Sequence, residues 1–101
     1  MTPEGKVKLE IKKYLDSIGA YHVWPVPTGY GPKLLDCYAC IRGRMVVIEA
    51  KAPGKMPTRS QAHEITKINH AMGIAFAADS VERVKTYIED HVLGMYVPDV
   101  E

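Results

Sequence analysis

The run Met45-Val46-Val47-Ile48-Glu49-Ala50-Lys51 constrains this chain most, because an apolar segment of strand length ends in a carboxylate and an amine one residue apart. Successive strand side chains alternate between faces. Val47, Glu49 and Lys51 therefore share one face, and Val46, Ile48 and Ala50 line the other. With both faces apolar, the run reads as a central strand whose charged pair emerges at the loop opening with Ala52-Pro53-Gly54. Leu34 to Ile41 reads as a second strand, and Arg42-Gly43-Arg44 has the length and the glycine of a tight hairpin loop. The two strands are expected as antiparallel neighbours, with Asp36 near the Glu49 to Lys51 end of its partner. Two carboxylates that close repel, and one takes up a proton, unless a hard cation such as Mg²⁺ lies between them. Lys51 beside them is placed to stabilise charge developing on a phosphate, or to help position an attacking water.

A chain of 101 residues makes one domain with a single core. Its 47% hydrophobic and 25% charged residues are those of an ordinary globular protein, which excludes a disordered chain. No apolar run is long enough to cross a bilayer, and the N-terminus lacks the basic-then-apolar pattern of a secretory signal, so a cytoplasmic protein without a membrane partner is expected. The formal net charge of +1 does not exclude nucleic acid, since an acidic metal site cancels part of a basic surface. Cys37 and Cys40 form a C-x-x-C without the second pair that a zinc site needs, and a strand is the wrong place for a thioredoxin-like motif. Both are expected as small core thiols, with no disulfide.

In chain order, Thr2-Pro3-Glu4 starts a helix, with Thr2 as cap, proline at the first position and Glu4 where the helix dipole favours negative charge. Val7, Ile11, Tyr14, Leu15 and Ile18 form its inward stripe, Lys6, Lys8, Lys12 and Lys13 its surface, and Gly19 a left-handed stop. Glu4 is either a partner of the helix dipole or a further acid at a metal site. Tyr21 to Val26 follows as a first strand, with Pro25 marking an edge or an end. The turn formers Pro27 to Lys33 surround Tyr30 and read as a substrate-contacting loop.

Lys51, Lys55 and Arg59 have no acid among them up to Ser60, so the loop from Ala52 to Arg59 reads as phosphate-binding. Thr58 or Ser60 caps the next helix, whose first turn carries Gln61, placed to orient a water or Lys51. Ala62, Ile65, Ile68, Asn69 and Met72 are expected inward, His63, Glu64, Lys67 and His70 outward, and Gly73 ends the helix. His63-Glu64 is not a metalloprotease motif, because Lys67 stands where the second histidine belongs. Ile74 to Ala78 reads as a buried strand reached by a crossover, parallel to a neighbour. Asp79-Ser80 then caps a helix from Val81 to His91 with Val81, Val84, Ile88 and Val92 inward. The order α-β-β-β-α-β-α describes an α/β domain, residues 1–92, with a mixed central sheet flanked by helices. Residues 93–101 form a tail in which Met95-Tyr96-Val97 is apolar enough to pack on the domain or on a second subunit.

Asp36, a spacer and Glu49-Ala50-Lys51 resemble the Asp…(Asp/Glu)-x-Lys signature, PD-(D/E)XK, of the restriction-endonuclease-like superfamily. More narrowly, Thr2-Pro3-Glu4-Gly5, Gly29-Tyr30-Gly31, Gly43-Arg44, the run from Glu49 to Lys55, and Gln61 resemble the virus-type replication-repair nucleases, the VRR-NUC domains. The resemblance runs from Thr2 through Val84. Leu35 departs from the proline that often precedes the aspartate, and Ala50 from a bulkier apolar residue, but neither change removes a ligand. The resemblance implies a Mg²⁺- or Mn²⁺-dependent DNA endonuclease, with the metal on Asp36, Glu49, the Ala50 carbonyl and Glu4, Lys51 at the transition state and Gln61 in support. Tyr30, Lys33, Lys55 and Arg59 are the expected DNA contacts. It further implies branched, flap or Holliday-junction DNA in phage replication, repair or recombination inside a bacterial host cell. A homodimer suits a junction cut on two strands. A rival reading is a DNA-binding module without catalysis, which explains the basic loop but not two acids converging on one strand end.

Overall fold

The computed structural model describes residues 1–94; of the expected tail, residues 95–101 with the apolar Met95-Tyr96-Val97 lie outside them, while Leu93 closes the last helical turn. Thr2 opens α1 (Pro3–Ser17) by accepting the Gly5 N–H on its hydroxyl. After β1 (Tyr21–Val23), β2 (Cys37–Ile41) and β3 (Arg44–Ala50) come α2 (Arg59–His70), β4 (Ile74–Ala78) and α3 (Val81–Ile88), which runs on into a π-helical turn over Glu89–Leu93. The order is the expected α-β-β-β-α-β-α. Among the described residues no helix is long and apolar enough to cross a membrane.

The four strands lie in the order β1-β2-β3-β4, antiparallel except for the parallel pair β3 and β4 joined through α2. Arg42 and Gly43, at φ 52° and 79°, make the two-residue hairpin turn whose backbone suits the twist of the flanking strands, and Arg44 already pairs with Ile41. Val46, Ile48 and Ala50 of β3 pack with Val7, Ile11 and Leu15 of α1 and Val84 and Ile88 of α3. Val47, on the opposite face, packs with Leu35, Ala75, Tyr38, Ile65 and Ile68. Val46, Val47 and Ile48 are 0% exposed, each a burial of about 1.5–3 kcal/mol relative to an exposed side chain. Hence β3 is the central strand expected from its apolar run.

Several expectations are corrected. The first strand stops at Val23 rather than Val26, since Pro25 has no N–H for a ladder. The second begins at Cys37 rather than Leu34. Cys40 is exposed although Cys37 is buried, because a separation of three places them on opposite faces and α2 does not reach over Cys40. In α2, Ile65 and Ile68 are half-buried, but Ala62, Asn69 and Met72 are exposed and Glu64 is partly covered. Asn69 still works inward, since its amide accepts from the Ala75 N–H at 2.8 Å and donates to the Ala75 carbonyl at 3.0 Å. The last helix departs from α geometry after Ile88 instead of running regularly to His91.

The two long helices end alike, with one glycine displaced. After α1, Gly19 takes φ 73° and the Ala20 N–H reaches back to the Leu15 carbonyl at 3.0 Å. After α2 the same closure runs from the Gly73 N–H to the Ile68 carbonyl at 3.0 Å, yet the left-handed residue is Met72, at φ 74°. Gly73 serves a different need, because a Cβ there would meet Ile68 Cγ2 at 2.8 Å. A non-glycine residue in the left-handed region costs about 1–2 kcal/mol, and the extra unfolded-state freedom of glycine returns about 0.5–1 of it. Met72 is 83% exposed, so its side chain contributes little packing. Met72→Gly is therefore expected to stabilise the domain by about 0.5–1 kcal/mol, read as a higher denaturation midpoint in urea; an unchanged or lower midpoint counts against the assignment.

Candidate active site

The ladder between β2 and β3 ends at the pair Cys37 and Ile48. Carried one step further, its register sets Asp36 opposite Glu49, and one more step would bond Leu35 to Ala50. The chain turns away instead. The Leu35 N–H donates to the Tyr38 hydroxyl at 3.3 Å, and Asp36 Oδ2 accepts the Ala50 N–H at 2.9 Å. A carboxylate thus stands in for the missing strand. The N–H and C=O of one strand residue point to the same edge, so the Ala50 carbonyl faces this gap as well.

Glu49 is 4% exposed and is the one charged residue in the buried set among the described residues. Its Oε1 accepts the Asp36 N–H at 3.2 Å and its Oε2 accepts from Gln61 Nε2 at 2.9 Å. Burial, and after it the neighbouring Asp36 charge, push the Glu49 carboxyl up to about 7, against the Asp36 N–H and Lys51, which favour its charged form. Gln61 is placed by its own helix start. Thr58 caps α2 by accepting the Gln61 N–H at 3.2 Å, and Gln61 Oε1 returns the bond by accepting the Thr58 N–H at 2.9 Å. The same Oε1 accepts from Lys51 Nζ at 3.2 Å. One amide therefore holds an ammonium on its oxygen and a carboxylate on its nitrogen, which settles its orientation.

On the other side, Asp36 Oδ1 pairs with Lys8 Nζ at 3.5 Å, and the same nitrogen lies 3.4 Å from Glu4 Oε2. Burial works against the Lys8 charge, but Asp36 and then Glu4 outweigh it and raise its pKa. By sequence alone Lys8 belongs to the outer surface of its helix, whereas the structure brings it to the site. The available signal was its spacing, four residues after Glu4, which puts both on one helical face.

The structure thus joins Asp36, Glu49, Ala50, Lys51 and Gln61 by hydrogen bonds, and Glu4 reaches them through Lys8. Tyr30 and Lys33 are exposed in the loop before Asp36; Lys55 and Arg59 are exposed in and just after the loop that follows β3. That second loop is tied down by the Gly54 N–H, which donates to Asp79 Oδ2 at 2.8 Å, while Asp79 Oδ1 pairs with Arg83 at 2.9 Å. Of the expected Asp79-Ser80 cap of α3, Ser80 is the capping residue, accepting the Arg83 N–H.

No family model matches the chain, and no curated protein matches its sequence. A solved structure titled "VRR_NUC domain" superposes with a TM-score of 0.78 over 90% of this chain and 99% of that one, at 20% identity. The fold is that of a VRR_NUC domain.

Within this VRR_NUC fold, no group of three or more His, Cys, Asp or Glu side chains converges closely enough to hold a metal among the described residues. Two carboxylates and a main-chain carbonyl do converge, and their chemistry fits a hard divalent ion: all donors are oxygen, and Glu49 is an acid pressed toward protonation by burial and then by Asp36.

Glu49 binds its proton more tightly in the folded chain than the ordinary 4.5 of an unfolded glutamate. In chelator its contribution to stability is therefore fully present below about 4.5 and is lost as the pH rises through about 7. Glu49→Gln should remove that slope: in urea titrations at pH 5 and pH 8, wild type is expected to lose more stability between the two than the variant. Parallel pH dependence in the two proteins contradicts this account of Glu49.

Proposed function

We propose that this chain is a Mg²⁺- or Mn²⁺-dependent endonuclease that hydrolyses phosphodiester bonds in DNA, acting on branched, flap or Holliday-junction substrates in phage replication, repair or recombination within the host cytoplasm. The observation that carries this reading is the meeting of Asp36, Glu49 and Lys51 at one strand end, with Gln61 bonded to both Glu49 and Lys51. The fold is consistent with it.

Asp36, Glu49 and the Ala50 carbonyl would hold the ion, with Glu4 as a further carboxylate on α1. Bound there, such an ion polarises the scissile phosphate and eases deprotonation of the attacking water. Lys51 offers its ammonium to the phosphate as negative charge builds, and the 3.2 Å bond to Gln61 Oε1 keeps that ammonium in place beforehand. Gln61 also fixes the Glu49 carboxylate, so one side chain sets the distance between acid and amine. Lys55 on the anchored loop and Arg59 just after it, with Lys33 and Tyr30 on the loop before Asp36, supply backbone and stacking contacts to DNA. A four-way junction is cut on two strands, and a homodimer presents two such sites.

Asp36→Asn keeps an acceptor for the Ala50 N–H while removing the charge, and Lys51→Ala removes the ammonium. Each is expected to lower cleavage of supercoiled plasmid and of a synthetic four-way junction at least 100-fold in Mg²⁺ or Mn²⁺, with the thermal midpoint close to wild type. Wild-type chain that binds DNA but leaves it intact with Mg²⁺, with Mn²⁺ and in chelator would instead be a binding module.

A further inference from the structure

Lys8 already places a positive charge on the acids of the site. Its ammonium lies 3.4 Å from Glu4 Oε2 on its own helix and 3.5 Å from Asp36 Oδ1 on the loop before β2. These carboxylates come from different elements, and one nitrogen spans them. The two oxygens of Asp36 are not equivalent. Oδ2 is committed to the Ala50 N–H, so Oδ1 is the atom more open to a ligand, and Oδ1 is the one that Lys8 holds. A divalent ion bound to Oδ1 would sit about 2.1 Å from it. An ammonium paired to that same atom would then face a doubly charged neighbour at close range, a repulsion twice that between unit charges. The Lys8 side chain is 33% exposed and the Glu4 side chain 42%, so the ammonium has water to withdraw into. Pairs so exposed are weak enough to exchange.

We propose that Lys8 is a displaceable counter-ion: it occupies Asp36 Oδ1 in the metal-free protein and must leave before a divalent cation can use that oxygen. The inference rests on the metal-dependent reading above and adds a residue that raises the cation concentration at which the site loads. Without Lys8, Glu4 and Asp36 would face each other uncompensated in the metal-free chain, and the cation would meet no competitor.

The test is calorimetric titration of Mn²⁺ into metal-free wild type, Lys8→Met, Lys8→Arg, Lys6→Met and Asp36→Asn, without DNA and with folding checked by circular dichroism. Lys8→Met should bind Mn²⁺ about 2- to 5-fold more tightly than wild type, the upper range expected for loss of a competing, partly exposed ion pair. Lys8→Arg, which keeps the charge, should stay near wild type. Lys6→Met removes an equal charge from the exposed side of the same helix and should change affinity less than 2-fold, by screening. Equal or weaker Mn²⁺ binding by folded Lys8→Met, or an equal gain in Lys6→Met, overturns the inference while leaving the nuclease reading intact. Wild type that binds no Mn²⁺, or Asp36→Asn that binds it as wild type does, overturns both.

Discussion

Burying the Glu49 carboxyl at the end of the central strand is the constraint on which the remaining geometry depends. A carboxylate taken from water is tolerated only when its oxygens find donors. Here they come from a loop and from a helix: the Asp36 N–H and the Gln61 amide. Either bond requires its element to arrive at one place. The chain must enter β2 from Asp36, and α2 must begin close to where β3 ends. The same two demands bring Asp36 Oδ2 to the Ala50 N–H and Lys51 to Gln61. The cluster follows from satisfying one buried acid.

The two faces of the sheet are covered unequally. α1 and α3 bury a large group of side chains against one face, while α2 alone packs on the other over Val47, Leu35 and Ala75. By register, Tyr21, Cys40 and Met45 share that thinly covered face and remain exposed. Glu49 and Lys51 lie on it too, at the opposite end of β3. Asp36 belongs to neither layer. It sits at the sheet margin, where its carboxylate touches β3 with one oxygen and α1, through Lys8, with the other.

Much of this was legible in the chain because it depends on short-range pattern. Alternation along β3 assigned its faces correctly, and Gly43 marked the hairpin. Arg44 joins the ladder opposite Ile41, so the turn is Arg42-Gly43 rather than three residues, and this register carries Asp36 to Glu49. Helix starts at Thr2 and Thr58 follow from side chains that bond their own backbone. What escaped depends on how far elements reach. Nothing in Leu34-Leu35 marks that the ladder begins only at Cys37, so the capping of Ala50 by Asp36 could not be read. The exposure of Cys40, Met72 and Ala62 reflects how little of the sheet one twelve-residue helix covers, a quantity absent from its periodicity. Gly73 looked like the helix stop, but close packing on Ile68 claims it and leaves the left-handed position to Met72. The spacing from Glu4 could have placed Lys8 beside that acid, but its pairing with Asp36 depends on a loop far along the chain.

Gln61 answers at once to a local rule and a distant one. As the third residue of α2, it closes the helix start with Thr58, a task that glutamate performs equally well. Toward Glu49 it must donate, which a glutamate carboxylate cannot do. Exchanging this amide for an acid would leave the helix signal in the sequence intact while setting like charges against each other in the interior. Selection at this position would therefore look like ordinary capping preference, with the pressure against glutamate as its trace.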